Sequence, residues 1–117
     1  EVWPGPQLAR RARKVRASAF HIMPKVHFDN KASRIATVIE VECLDRPGLL
    51  YDMTHALFEA GLSISTAMVT TYGERAIDVF YVRDGFGHKI DQPGRLHAIE
   101  AGLMKALGEK PVLEAAL

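Results

Sequence analysis

The chain has 117 residues, 48% of them hydrophobic and 25% charged, with a formal net charge of +1. That length suits one domain with one core, and the composition is that of a globular protein. The near-neutral charge gives no general pull toward nucleic acid or a membrane surface. No apolar run approaches the roughly 20 residues that span a bilayer, and no signal peptide is visible. The single cysteine, Cys43, cannot close an internal disulfide and suits a reducing cytoplasm.

The chain opens Glu1-Val2-Trp3-Pro4 without an initiator methionine and reads as a piece of a longer protein. Arg10, Arg11, Arg13, Lys14 and Arg16 crowd one early segment, beside Leu8, Ala12 and Val15 at helical spacing. Contact with nucleic acid or an acidic surface is one reading of it. A solvated linker helix over residues 1–24 is the favoured one. A short strand follows over Lys25 to Asp29, where Val26 and Phe28 alternate with His27. "DNKAS" then reads as a loop.

"RIATVIEVECL" is the clearest strand. Thr37, Ile39, Val41 and Cys43 share one face, and Val38, Glu40 and Glu42 the other. After it, Leu50, Met53, Leu57 and Ala60 recur at helical spacing, so "LLYDMTHALFEAG" predicts an amphipathic helix stopped by Gly61. Leu62 to Tyr72 reads as a β-rich strand, with Leu62, Ile64, Thr66 and Met68 on one face. Gly73 bends a hairpin into "AIDVFYV", whose unbroken apolar character suggests cover on both faces, by helices and by a partner. "RDGFGHKIDQPG" is a loop. Leu96, Ile99, Leu103 and Leu107 mark a second helix, and residues 111–117 form a tail behind Pro111.

The order strand, helix, strand, strand, helix is most of a split βαβ plan. Its last strand is either the short Val112–Leu113 piece or the early Val26–Phe28 strand in the same slot. The second, permuted arrangement is favoured, with both helices on one face of an antiparallel sheet. The fold class is therefore α+β and ferredoxin-like.

Motifs of catalysis are missing from the sequence. His21, His27, His55, His88 and His97 show no HExxH spacing, and there is no GxSxG elbow. "DGFGHK" lacks the spacing of a phosphate loop. Asp78, a carboxylate inside an apolar strand, is either a functional acid or a carboxylate satisfied by an arginine, a backbone donor or a sheet edge. Ser63, Ser65 and Thr66 read as strand residues.

"LDRPGLL" is the most suggestive stretch. Pro47 suits a first helical turn, and Asp45 suits the cap before it. Glycine inside a first turn costs roughly 0.5–1 kcal/mol against alanine, so Gly48 needs another reason. Close approach of a ligand to helix-start N–H groups is one, and a carboxylate would be welcome there.

"VECLDRPGLLYDMTHALFEAGLSISTAMVTTYGERAIDVFYV" resembles an ACT domain, the small-molecule-sensing module of amino-acid metabolism. With "PKVHFDNKAS" before it and "RDGFGHKI" after, it is similar to the C-terminal ACT domain of bifunctional enzymes that uridylylate and deuridylylate the nitrogen-regulatory PII protein. The resemblance implies an ACT domain over residues 25–110. It implies a cytoplasmic parent with nucleotidyltransferase and phosphohydrolase domains that uses Mg²⁺, whereas this chain holds no cofactor and is not an enzyme by itself. Glutamine is the implied effector and PII the parent's substrate. A sister ACT domain or a second copy is the implied partner. Asp45, Arg46, Pro47, Gly48, Leu49 and Leu50 would face the ligand, with Leu62, Ser63 and Ile64 of the neighbouring strand. A ligand-free dimerisation or docking module is the alternative. An RRM-like RNA-binding domain is the third, weakened by the missing basic-glycine-aromatic start of an RNA-binding strand.

Overall fold

A computed structural model describes residues 23–108. The basic segment before them and the Val112–Leu113 piece after them lie outside the described residues. Among the described residues, four strands and two helices follow in the order β1 (Lys25–Asp29), β2 (Thr37–Leu44), α1 (Leu49–Glu59), β3 (Ser63–Tyr72), β4 (Arg75–Arg83) and α2 (Pro93–Ala106). The sheet order is β1-β2-β4-β3, and every neighbouring pair is antiparallel. The fold is α+β and ferredoxin-like. β1 occupies the edge position beside β2, the slot that a last strand would otherwise take.

Register assigns the faces. Val26 and Phe28 oppose Val41 and Ile39, and Ile39, Val41 and Cys43 oppose Phe80, Asp78 and Ala76. Ile39, Val41, Cys43, Ala76 and Phe80 form one buried cluster with Leu49, Met53 and Leu57 of α1 and Ile99 and Leu103 of α2. The opposite face carries Glu40, Glu42 and the half-buried Ile77, Val79 and Tyr81. Arg75 pairs there with Glu42.

Three details differ from the sequence expectation. The α1 stripe is Leu49, Met53 and Leu57, with Leu49 4% exposed and Leu50 43% exposed. The helix starts at Leu49, the first residue of the expected stretch, but Leu49 and not Leu50 takes the buried stripe, so Leu50 turns outward. Pro47 precedes the helix instead of opening it. In β3 a bulge between Ile64 and Thr66 reverses the alternation. Ile64, Ala67, Val69 and Thr71 oppose the helix-facing residues of β4, while Thr66 and Met68 turn to the other face. Most of β3 is exposed, so the large solvent-facing apolar surface lies there more than on β4.

Helix ends follow local chemistry. Gly61 has φ +82°, and its N–H donates to Phe58 while that of Leu62 donates to Leu57. That pair of bonds is the left-handed glycine stop that closes many helices. α2 begins at Pro93, whose missing N–H costs nothing in a first turn.

One polar knot ties three elements together. The Ile90 N–H donates to Thr37 Oγ1 at 2.8 Å, Thr37 Oγ1 donates to Asn30 Oδ1 at 2.6 Å, and Asn30 Nδ2 donates to the Ile90 carbonyl at 2.7 Å. Thr37 is fully buried. A Thr37→Val variant keeps the shape and strands the Ile90 N–H, so it should lose about 1–3 kcal/mol of stability in urea unfolding.

Candidate functional site

The turn from β2 into α1 occupies Asp45 to Gly48. Gly48 is the N-cap of α1 with φ 78° and ψ 1°. This corrects the expected place of the cap, which is Gly48 and not Asp45. It also supplies the reason for glycine: the left-handed backbone region is cheap only without a Cβ. A Cβ built on Gly48 would meet nothing nearer than Arg46 Nη1 at 3.9 Å. Backbone conformation, not crowding, therefore fixes the residue.

The ladder of α1 begins where the Asp52 N–H donates to the Gly48 carbonyl at 3.0 Å. The Leu50 and Tyr51 amides precede that bond and have no carbonyl partner within the helix. They stand at the positive end of the helix dipole. Arg46 is committed elsewhere. Its Nη2 pairs with Asp52 Oδ2 at 2.8 Å and donates to the Ala106 carbonyl at 2.9 Å, and its Nη1 donates to the Pro47 carbonyl at 3.1 Å. The guanidinium thus joins the start of α1 to the end of α2, where a cation also complements the exposed carbonyls.

A cleft of about 250 Å³ opens at this junction. Asp45, Arg46, Gly48, Leu49 and Leu50 form one wall with Tyr51, and Val69, Thr71, Ala76 and Asp78 form the other. Pro47 is not on the lining. Leu62 and Ser63 border a different hollow, of about 570 Å³, with Phe58, Arg83 and Asp84. Asp84 Oδ1 there accepts the N–H groups of Phe86 and His88, which hold its carboxyl below the usual range. Ile64 packs against the core. The two groups of expected ligand-facing residues sit at opposite ends of the sheet. Leu44 and Tyr72 both pair with Arg75, whereas Ser63 pairs with Arg83. Eight residues of strand separate those ends, roughly 26 Å.

The residues that sequence reasoning left out of the site are Tyr51, Val69, Thr71, Ala76 and Asp78. Val69 and Thr71 face the cleft because of the bulge, which the sequence does not mark. Asp78 did carry a signal, as a carboxylate in an apolar strand. It is 2% exposed, and its Oδ1 has no hydrogen-bond partner. Burial raises its carboxyl above the ordinary value, a hydrogen bond from the Thr70 backbone lowers it, and the Asp45 charge adds to the rise. Of the ordinary ways to satisfy it, a backbone donor applies to part of the group. An arginine pair and an edge position do not, since β4 is a central strand. Burial also pushes the nearby Cys43 thiol up to about 12, with Asp78 contributing. Among the described residues, no group of three or more His, Cys, Asp or Glu side chains could hold a metal ion. No helix among them is long and apolar enough to cross a membrane.

The permuted ferredoxin-like sheet, the glycine-turned junction and the two helices on one face define an ACT-like domain. The chain belongs to the family described as ACR9-like, ACT-like domain, which matches residues 25–112. It is 50% identical over 112 residues to a bifunctional uridylyltransferase/uridylyl-removing enzyme of Novosphingobium aromaticivorans, a match covering 95% of this chain and 12% of that protein. Proteins of the same name from Zymomonas mobilis and Azospirillum brasilense are 57% and 52% identical over 91 and 94 residues, covering 78% and 80% of this chain. The chain spans only about a tenth of the length of these relatives, at 10–12%.

Two outcomes follow from this geometry. Gly48→Ala should lower stability by about 1–2 kcal/mol through backbone strain alone. Gly48→Asn should lose less, because asparagine tolerates the left-handed region better; thermal melts of the two variants compare them directly. Cys43, buried and with its thiolate disfavoured, should resist iodoacetamide at pH 8 in the folded chain and react only as urea unfolds it.

Proposed function

We propose that the chain is a regulatory ACT domain of a bifunctional uridylyltransferase/uridylyl-removing enzyme that acts on the PII protein, and that it senses an amino acid, glutamine. The observation that carries this reading is the junction cleft, where first-turn amides and the positive end of α1 border a hollow lined also by carboxylates. A zwitterion needs both kinds of wall. The names of the relatives support the identity of the parent. Catalysis, and the Mg²⁺ it would use, belong to the rest of that parent. The chain's own part is to bind, and to pass the bound state on.

A ligand that touches both the Asp45–Leu50 turn and the Leu62–Ile64 strand start requires two domains, because one domain holds those groups about 26 Å apart. A second copy or a sister ACT domain would bring them together. The exposed edge strand β3, with Met68, Val69 and Tyr72 facing solvent, favours such pairing. It is also the feature that favours the second reading, a docking module that pairs without ligand. The RNA-binding reading has no comparable support: Phe80 is wholly buried under the helices, and Glu40 and Glu42 occupy the opposite, open face.

Titration calorimetry of the chain with L-glutamine, L-glutamate and L-serine separates the readings. Saturable heat with glutamine, and weaker heat with the others, is the expected result. Absence of heat from all three, with a dimer in sedimentation velocity, would replace sensing by docking.

A further inference from the structure

The buried carboxylate on β4 takes a hydrogen bond from the Thr70 backbone of β3 but has no part in the apolar core or in the Arg46 clamp. Its Oδ1 lacks a partner, although a buried charged group that stays unpaired is costly. Three neighbours account for its isolation. Val41 lies directly across on β2 and Val69 directly across on β3, and neither offers a donor side chain. The nearest guanidinium, that of Arg46, is spent on Asp52 and on the Ala106 and Pro47 carbonyls.

Asp78 nevertheless lines the junction cleft together with Leu50 and Tyr51. The cleft is smaller than the roughly 300–1,000 Å³ of most ligand pockets, which suits a free amino acid better than a nucleotide. The terminal torsion of an aspartate is soft, so the carboxylate can turn an oxygen into the cleft. A ligand cation would restore the missing partner and would also offset the proximity of Asp45.

We propose that Asp78 is a specificity residue of the amino-acid site, accepting a hydrogen bond from the ligand's α-ammonium while the first-turn amides of α1 hold its α-carboxylate. This rests on the amino-acid-sensing reading above and adds the residue that selects for the amine. Acids of similar shape without the amine would leave Asp78 unpaired, and a site that buries an unpaired polar group rejects such analogues strongly.

The test is calorimetry of the 117-residue chain with L-glutamine and with glutaramate, which is glutamine without its α-amino group. The wild-type chain should bind glutamine more tightly than glutaramate by about tenfold or more. Asp78→Asn, nearly isosteric, should bring that ratio close to one by weakening glutamine and sparing glutaramate, with a melting temperature equal to or above wild type. An unchanged ratio in the variant would overturn the role of Asp78 and leave amino-acid sensing standing. Equal wild-type affinity for the two probes would do the same, whether or not the variant folds. Wild-type binding of neither probe would overturn the sensing reading, and this inference with it.

Discussion

The antiparallel pairing of β2 with β4 is the constraint on which the rest of the domain depends. It runs the full length of β2, from Thr37 opposite Val82 to Leu44 opposite Arg75. Side chains in register point to one face, so this one pairing places Ile39, Val41, Cys43, Ala76, Phe80 and Val82 on a common surface. Both helices then have a single place to bury their apolar stripes. The outer strands are consequences: β1 extends the surface with Val26 and Phe28, and β3 closes the other side. The same pairing carries Asp78 into the interior, because its register neighbours on both sides are apolar.

The turn that follows β2 is shaped by two unlike devices. Gly48 supplies the backbone angle that lets an extended strand end and a helix begin within a few residues. Arg46 then fastens the new helix to the end of the other one. A half-exposed ion pair alone contributes little, but this guanidinium also satisfies a carbonyl at the end of α2, one that the helix itself cannot pair. The cleft is therefore bordered by a rigid turn. Its opposite wall is the exposed strand β3, which has no cover from the helices along most of its length.

Much of this was legible in the residues. Alternation in "TVIEVEC" and in Val26–Phe28, and helical spacing in Leu96, Ile99, Leu103 and Leu107, are direct images of burial on a sheet or against it. The replacement of the last strand by β1 was legible too, because Val112–Leu113 is too short to compete. The bulge at Ile64 and Thr66 was not, since Ser, Thr and Ala on either side fit both faces about equally well. The buried stripe of α1 was read one residue off, at Leu50 instead of Leu49, for a related reason. Leu49 and Leu50 are both leucine, so composition does not say which of them is buried. For the site, the turn was visible as a motif, but its opposing wall depends on pairing between strands distant in sequence. Asp78 was conspicuous as chemistry and silent about position.

The permuted strand has a mechanical consequence. Lys25, where β1 begins, pairs with Glu42 near the end of β2, and the carbonyl of Ala106, where α2 ends, is bonded to Arg46 in the turn. The chain therefore enters and leaves the domain at the same end, beside the cleft. Had the sheet been completed by a strand after α2, the outgoing chain would have crossed the sheet before leaving. Here the start of β1 and the end of α2 both lie close to the Asp45–Gly48 turn. That turn is therefore coupled to both ends of the domain at once, to α2 through the Arg46 bond to Ala106 and to β1 through the pairing of Lys25 with Glu42.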